Sequence, residues 1–190
     1  MASDPSFVAL RLAAIALLLL AACGASGAAA APGPAGLLAP VSACPGQRDE
    51  SAPVANQERA MACMHRYARK RAGRSRLRRL EVLGGSSGRK SGDIVRCDDF
   101  SHTACGREFT YWMELLGYGG RCWSAGENIA YGTGSYGTVR SIMRAWLNSP
   151  GHRDNILGRG YSDFGVGLRI GRLDGNPGAH VWTAHFGDRC

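Results

Sequence analysis

Three short segments of this chain hold two histidines and one glutamate among glycines and a proline: Phe100-Ser101-His102-Thr103, Gly126-Glu127-Asn128-Ile129-Ala130 and Trp146-Leu147-Asn148-Ser149-Pro150-Gly151-His152-Arg153. Imidazole nitrogens suit Zn²⁺ or another divalent cation, and a carboxylate can complete the ligand set or activate water. We expect Pro150 and Gly151 to present His152 from a turn rather than along a helix. The residue types therefore predict a site made of His102, Glu127 and His152, provided that the fold brings them together.

Apolar residues repeat at helical spacing in three segments around these motifs. One predicted helix starts near Pro53 and ends at Gly73, where glycine can adopt a left-handed conformation. A second covers residues 109–116 and ends at a glycine, and a third runs from a Thr138 cap until Pro150 forbids its continuation. Each helix has one apolar face, which we expect to be buried.

The C-terminal part of the chain has the alternating pattern of β-strands. Phe164, Val166, Leu168 and Ile170 alternate with smaller or polar residues, and residues 181–186 are strand-like beyond a turn-rich stretch at 174–178. The pattern predicts a β-hairpin. Helices followed by antiparallel strands indicate an α+β fold.

The order of these motifs resembles the CAP superfamily, also called the SCP-like or cysteine-rich secretory protein family, in its bacterial form. The likeness covers roughly residues 54–187 and closes with Phe164-Gly165-Val166-Gly167 and Val181-Trp182-Thr183-Ala184-His185-Phe186-Gly187. It implies an α-β-α sandwich of the CAP/SCP type, with a central antiparallel sheet flanked by helices. It also implies a further helix between Leu77 and Cys97, although each of four glycines there weakens a helix by about 1 kcal/mol relative to Ala. The resemblance also implies that His102, Glu127 and His152 converge in one open cleft.

Two positions depart from the pattern of the family. Many animal and plant members have a second glutamate where this chain has Ser149, and bacterial relatives commonly have glutamine where it has Ala184. Because a metal hydrolase needs a ligand set and also a free base, the loss of one carboxylate favours a non-catalytic binding module. The alternative is a metal-dependent hydrolase or peptidase that uses His102, Glu127 and His152, with Glu127 as the candidate catalytic residue, so whether the chain is an enzyme stays open.

Other polar residues have weaker motif support. The three remaining histidines are expected to be packing or surface residues: His65, His180 and His185. His102 and His152 could themselves be purely structural donors and acceptors in their loops. Serines lie near both, but the chain has no G-x-S-x-G segment or recognisable triad order, which argues against a serine hydrolase.

The N-terminus predicts export. An apolar run from Leu12 to Ala22 is too short to span a bilayer but suits the core of a signal peptide. It ends Leu20-Ala21-Ala22-Cys23, which looks like the lipobox of a bacterial lipoprotein, so residues 1–22 are interpreted as a lipoprotein-type signal and Cys23 as the lipidation site. Cleavage further on, among residues 28–31, is the alternative. Residues 23–43 are predicted to be a flexible Ala/Gly/Pro tether, and residues 44–190 a single CAP/SCP domain that is secreted or lipid-anchored at the cell envelope.

Six cysteines remain when Cys23 is set aside: Cys44, Cys63, Cys97, Cys105, Cys122 and Cys190. An even number of cysteines in an exported chain predicts a disulfide framework, here of three bridges. The pairing cannot be read from the sequence. Structural zinc is the alternative, but the chain has no C-x-x-C pair and its spacings are irregular.

The chain is basic, with 23 Lys and Arg against 15 Asp and Glu and a formal net charge of +8. Eight of the basic residues lie between Arg66 and Arg79 with no acidic residue among them. Export and the lack of a nucleic-acid-binding motif argue against nucleic acid as the partner. A solvated helix end is the plain interpretation. If the stretch has a role, the predicted partner is an anionic envelope polymer, a lipid or another exported protein, with membrane attachment through the lipid anchor.

Overall fold

The computed structural model describes residues 32–190, which form six α-helices and four β-strands in that part of the chain. The helices are α1 (Pro34–Leu37), α2 (Val54–Arg71), α3 (Glu81–Cys97), α4 (Tyr111–Leu115), α5 (Val139–Asn148) and α6 (Pro150–Leu157). The strands are β1 (Arg78–Arg79), β2 (Trp123–Gly132), β3 (Asp163–Leu173) and β4 (Asn176–Arg189). The predicted α+β class is confirmed.

The helix ends follow the predicted local chemistry. Gly73 has a φ of +63° just after α2, and Gly117 has a φ of +84° after the short helix α4. Thr138 caps α5 by accepting a hydrogen bond from the backbone nitrogen of Ser141 at 3.3 Å. These conformations and contacts satisfy groups that a helix leaves unpaired at its ends.

His152 lies in a helix, so the prediction that it projects from a turn is wrong. Pro150 ends α5 as expected but is also the first residue of α6. Proline suits that position because its missing N–H would have no partner in the first turn and its φ is already helical. His152 therefore belongs to the first turn of α6.

The sheet has the strand order β1-β3-β4-β2. Strands β2, β3 and β4 are antiparallel, and the β3–β4 hairpin turns at Asp174 and Gly175, both with positive φ. The two-residue strand β1 pairs with β3 in parallel, so the sheet is mixed and not wholly antiparallel as predicted. Strand β2 lies at the other edge of the sheet.

Helices cover both faces of the sheet, as in a sandwich. The core on one face joins α2, α5 and α6 to the side chains of Phe164, Val166, Trp182 and Phe186. Helix α3 covers the other face, where Ser91 donates a hydrogen bond to Thr183. Because side chains alternate along a strand, residues next to one another in β4 belong to different layers of the molecule.

Helix α3 approaches strand β3 closely through glycines. A Cβ atom at Gly165 would overlap the backbone nitrogen of Gly84, and one at Gly167 would overlap that of Gly88. The glycines that weaken α3 as an isolated helix therefore allow it to pack directly on the sheet, and the helix is unbroken from Glu81 to Cys97. Close packing offsets the low helix propensity.

The ordered domain begins before Cys44, which corrects the predicted extent of the tether. Leu37 and Ala39 are buried in the main core, and Arg140 Nη1 donates a hydrogen bond of 2.7 Å to the carbonyl oxygen of Ala39. Buried apolar side chains and hydrogen bonds to its backbone therefore hold a segment whose composition suggested disorder. Cys23, the signal at residues 1–22 and the first part of the tether lie outside the described residues.

All six predicted cysteines are paired. The disulfides join Cys44 to Cys63, Cys97 to Cys105 and Cys122 to Cys190. They tie the segment before α2 to that helix, close the loop after α3, and fasten the end of β4 to the start of β2. Within residues 32–190 no helix is long and apolar enough to cross a membrane.

The contact between α3 and β3 predicts that Gly167→Ala destabilises the protein. The added methyl group would meet the backbone of α3, so we expect a loss of about 1–3 kcal/mol or more in the free energy of unfolding, measured in urea. Gly160→Ala is the control, because a Cβ atom there meets nothing within 4 Å. It should change stability by less than about 0.5 kcal/mol, and equal losses in both variants would contradict the packing argument.

Candidate functional site

The candidate site lies at the β2 edge of the sheet. Glu127 is in β2, directly opposite His185 of β4, and its side chain lies on the face that α3 covers. The loop after α3 brings His102 to the same carboxylate, and α6 brings His152 from the other face. The fold therefore gathers all three predicted residues and adds His185.

Glu127 is shared by two histidines. His102 Nδ1 donates a hydrogen bond to Glu127 Oε1 at 2.6 Å, and His185 Nε2 donates one to Oε2 at 2.9 Å. Only 7% of Glu127 is exposed, and His185 is fully buried. Both oxygens of the carboxylate are thus engaged in a region of low dielectric, where charge-assisted hydrogen bonds are strong.

These contacts shift the acidities of both partners. Burial alone would raise the pKa of the Glu127 carboxyl, but the hydrogen bonds from His102 and His185 outweigh it and hold the pKa below its ordinary value. The hydrogen bond to Glu127 raises the pKa of His102 above 6.5, against the effect of partial burial. Glu127 is therefore an ionised acceptor, and His102 holds its proton more tightly than a free imidazole.

His185 extends the network into the interior. Its Nδ1 atom is 2.7 Å from Ser86 Oγ, and that hydroxyl also lies 2.9 Å from the carbonyl oxygen of Leu83. A serine, a histidine and a glutamate in hydrogen-bonded sequence have the connectivity of a catalytic triad. Ser86 is fully buried in α3, however, so no substrate reaches its hydroxyl. The chain of hydrogen bonds fixes the position of Glu127.

The loop that carries His102 is held from two sides. Lys90 of α3 donates a hydrogen bond of 2.5 Å from Nζ to the carbonyl oxygen of His102. The disulfide between Cys97 and Cys105 closes the same loop. Lys90 is 1% exposed, and burial lowers the pKa of its ammonium group despite nearby carboxylates. His102 itself is exposed on its outer side.

His152 is positioned through its backbone. Asn128 Nδ2 donates a hydrogen bond of 3.0 Å to the carbonyl oxygen of His152, and Asn155 Nδ2 donates one of 2.9 Å to Asn128 Oδ1. Burial, and then the charge of nearby His102, lower the pKa of the His152 imidazole. The amide of the G-E-N motif therefore anchors α6 beside the carboxylate.

The described part of the chain contains no group of three or more His, Cys, Asp or Glu side chains arranged to hold a metal ion. Within residues 32–190 the His152 ring makes no hydrogen bond to Glu127, whose oxygens are bonded to His102 and His185. The carboxylate of Glu127 therefore accepts hydrogen bonds from two imidazoles and is not arranged as a metal ligand.

Sequence reasoning missed His185, which was expected to be a packing or surface residue, and Ser86. It considered position 184 instead, but Ala184 lies in the core with α2 and α5 on the opposite face. The alternation of Trp182, Ala184 and Phe186 could have indicated that His185 faces the other way. Its pairing with Glu127 depends on the register between β2 and β4, which no local sequence pattern predicts.

The site predicts opposite pKa shifts for its two partly exposed histidines. In an NMR titration the imidazole of His102 should titrate above pH 6.5 and that of His152 below it. The stability that the His102 pair contributes is present below pH 6.5 and is lost as the pH rises through the raised pKa.

Glu127→Gln removes the anion and should lower the pKa of His102 towards the ordinary value. The control Glu114→Gln changes an exposed glutamate outside the network and should leave both titrations unchanged. If His102 titrated at or below 6.5 in the unaltered protein, the assignment of its hydrogen bond to Glu127 would be wrong.

Comparison with known proteins agrees with this architecture. YkwD of Bacillus subtilis is 32% identical over 133 residues, which are 70% of this chain and 48% of YkwD. The chain therefore spans about half the length of that relative.

Solved structures show the same fold at lower identity. An extracellular protein of Bacillus anthracis that contains an SCP domain matches with a TM-score of 0.58 and 22% identity, over 70% of this chain and 40% of that one. An outer surface protein of Borrelia burgdorferi matches with a TM-score of 0.57 and 17% identity, over 68% and 90% of the two chains.

The profile of the cysteine-rich secretory protein family, CAP, matches residues 56–186, a span that starts in α2 and ends in β4. It includes the segments that carry His102, Glu127, His152 and His185. With the sandwich fold, the shared motifs and this match, the chain belongs to the CAP superfamily of cysteine-rich secretory proteins.

Proposed function

We propose that this protein is an exported CAP-domain binding module that holds its ligands without catalysing a reaction. The observation that carries the proposal is the state of Glu127, whose two oxygens accept hydrogen bonds from His102 and His185 and which is only 7% exposed. A general base must reach a substrate proton or a water molecule. A carboxylate held by two imidazoles supports binding more than hydrolysis.

The two outer histidines suit a weak site for a divalent cation such as Zn²⁺. His102 donates from Nδ1 to Glu127, which leaves Nε2 for a metal, and a carboxylate commonly orients a metal-ligating histidine in this way. The lowered pKa of His152 keeps its ring neutral, as a metal ligand must be. Glu127 would support His102 rather than occupy a coordination position, so the predicted set of three ligands becomes two. A bound cation would supply positive charge to the cleft.

The hydrolase alternative is not favoured. It requires Glu127 to leave one of its histidines and act as base, and the family's second glutamate is replaced by Ser149. This chain also spans only about half of YkwD, so an activity of the whole of YkwD would not transfer to it.

Calorimetric titration with Zn²⁺ should detect one weak site. His102→Ala and His152→Ala should each abolish it, because a single imidazole is a poor zinc site. Glu127→Gln should weaken binding about 10- to 100-fold without abolishing it, as expected of a residue that orients a ligand. Glu114→Gln, at an exposed position outside the network, is the matched control and should bind as the unaltered protein does.

A panel of peptidase and ester substrates should show no turnover with or without Zn²⁺. Zinc binding that survives both histidine substitutions would exclude the proposed site. Metal-dependent hydrolysis that Glu127→Gln removes would replace the binding proposal with the enzyme alternative.

We also propose that the domain works at the cell envelope, attached through a lipid on Cys23. Three disulfides and extracellular relatives of the same fold support a place outside the cytoplasm. Anionic envelope polymers, lipids or other exported proteins are the proposed partners, given the net charge of +8.

The anchor predicts a modified N-terminal cysteine in the mature protein. Cys23→Ser should prevent acylation, so the domain should be released to the medium or its processing should stop. Mass spectrometry of the mature N-terminus is the measurement. An unmodified N-terminus beyond Cys23 would show that cleavage follows the later alternative.

A further inference from the structure

A cavity of about 240 Å³ lies between α2 and the segment around β1, on the face of the sheet opposite the Glu127 carboxylate. Arginines surround an apolar floor that includes Leu77, Ala62 and Phe164. The five arginines that line it are Arg59, Arg66, Arg69, Arg76 and Arg79. Among the described residues, none that lines the cavity is acidic.

The walls of this cavity, which we call the arginine pocket, are fixed by arginines that serve the fold. Arg69 is buried and donates hydrogen bonds to the carbonyl oxygens of Ser75, Ile156 and Gly158 at 2.7 to 2.9 Å. Arg78, next to the pocket, pairs with buried Asp163 at 2.8 Å. The chain between these two anchors, which carries Arg76, is therefore held in place, and Arg79 follows directly after Arg78 in β1.

Three other arginines of the pocket are accessible to a ligand. Arg66, Arg76 and Arg79 are exposed, and none of the three has an acidic partner within residues 32–190. Guanidinium groups bind phosphate or carboxylate in a bidentate manner. The positive charge of the pocket favours an oxyanion as the ligand.

The floor contains an unsatisfied polar atom. His65 is 1% exposed and lies 5.2 Å from Phe164, measured between ring centroids. Its Nδ1 atom donates to the carbonyl oxygen of Met61, and its Nε2 atom has no hydrogen-bond partner among the described residues. Burial lowers the pKa of His65 to about 4, so the ring is neutral and Nε2 is an acceptor. Because His65 lines the cavity, unlike buried Ser86, a hydroxyl of a ligand inside the cavity would satisfy Nε2.

We propose that the arginine pocket binds an anionic amphiphile, with a phosphate head held by Arg66, Arg76 and Arg79 and an apolar chain against Leu77 and Phe164. The cavity is smaller than the roughly 300–1,000 Å³ usual for drug-sized ligands. It fits a head group and a short length of chain, not a whole lipid. The site is independent of the proposed function of the histidine cleft, because the two lie on opposite faces of the sheet.

Octyl phosphate is the probe, below its micelle concentration and near pH 6, where about half of a phosphate monoester carries a P–OH donor. The protein is the exported form with Cys23→Ser, which removes the proposed lipid. Calorimetry should show saturable binding to one site. Octyl glucoside has no charge and should not bind, and inorganic phosphate should bind about tenfold or more weakly because it buries no methylene groups.

Substitutions distinguish binding in the pocket from general electrostatic attraction to a positively charged protein. Arg76→Gln and Arg79→Gln should each weaken octyl phosphate binding about tenfold. Arg71→Gln makes the same change of charge at an exposed position at the end of α2 that does not line the pocket, and should change binding less than about twofold. Thermal unfolding of the three variants checks that each remains folded.

Equal weakening by all three substitutions would overturn the proposal, because it would indicate diffuse electrostatic attraction. Binding of octyl glucoside as tight as that of octyl phosphate would overturn the role of the arginines. Association with phosphatidylglycerol vesicles, without binding of monomeric octyl phosphate, would assign the charge to a membrane surface and not to a pocket.

Discussion

The close contact between α3 and β3 is the constraint on which the rest of the structure depends. Gly165 and Gly167 leave no room for a Cβ atom against Gly84 and Gly88, so the helix backbone rests almost directly on the sheet. At that separation a side chain as short as Ser86 can reach His185 at 2.7 Å. The same helix carries Lys90, whose ammonium group holds the loop of His102. A bulkier interface would move both supports away from the carboxylate.

The chemical character of the cleft follows from the position of Glu127. Two imidazoles donate to it and its exposure is small, so it is held as an anion whose hydrogen-bonding capacity is largely used. The positive charge that it stabilises on His102 in turn lowers the pKa of His152. One histidine that tends to be charged and one that tends to be neutral then meet at the edge of the sheet. This combination suits the capture of a ligand better than the activation of water.

Much of the fold could be predicted from local patterns, and the exceptions have identifiable physical causes. Helical periodicity and the Thr138 cap were sufficient for α5. Pro150 was ambiguous, because proline both ends one helix and is favoured at the start of the next. The segment containing Leu37 was interpreted as tether because its composition gives no sign of the core that covers it. For Leu37 the missing information concerns neighbours distant in sequence.

The candidate site shows the same division between local and long-range information. His102, Glu127 and His152 were found from motifs, and the structure does bring them to one edge of the sheet. His185 was missed because its partner is set by the register of β4 against β2, 58 residues away in sequence. The arginine-rich stretch was likewise visible as a charge pattern, while its division into arginines that serve the fold and arginines that line a pocket required tertiary contacts.

The protonation of the His185 ring tests the central claim most directly, because that claim is the sharing of Glu127 between two imidazoles. The ¹⁵N chemical shifts of the two ring nitrogens should be measured at neutral pH. The account predicts that Nε2 of His185 carries a proton, since it donates to Glu127 Oε2. An unprotonated Nε2 at neutral pH would contradict it, because Glu127 would then have a free oxygen and the case for a non-catalytic cleft would fail.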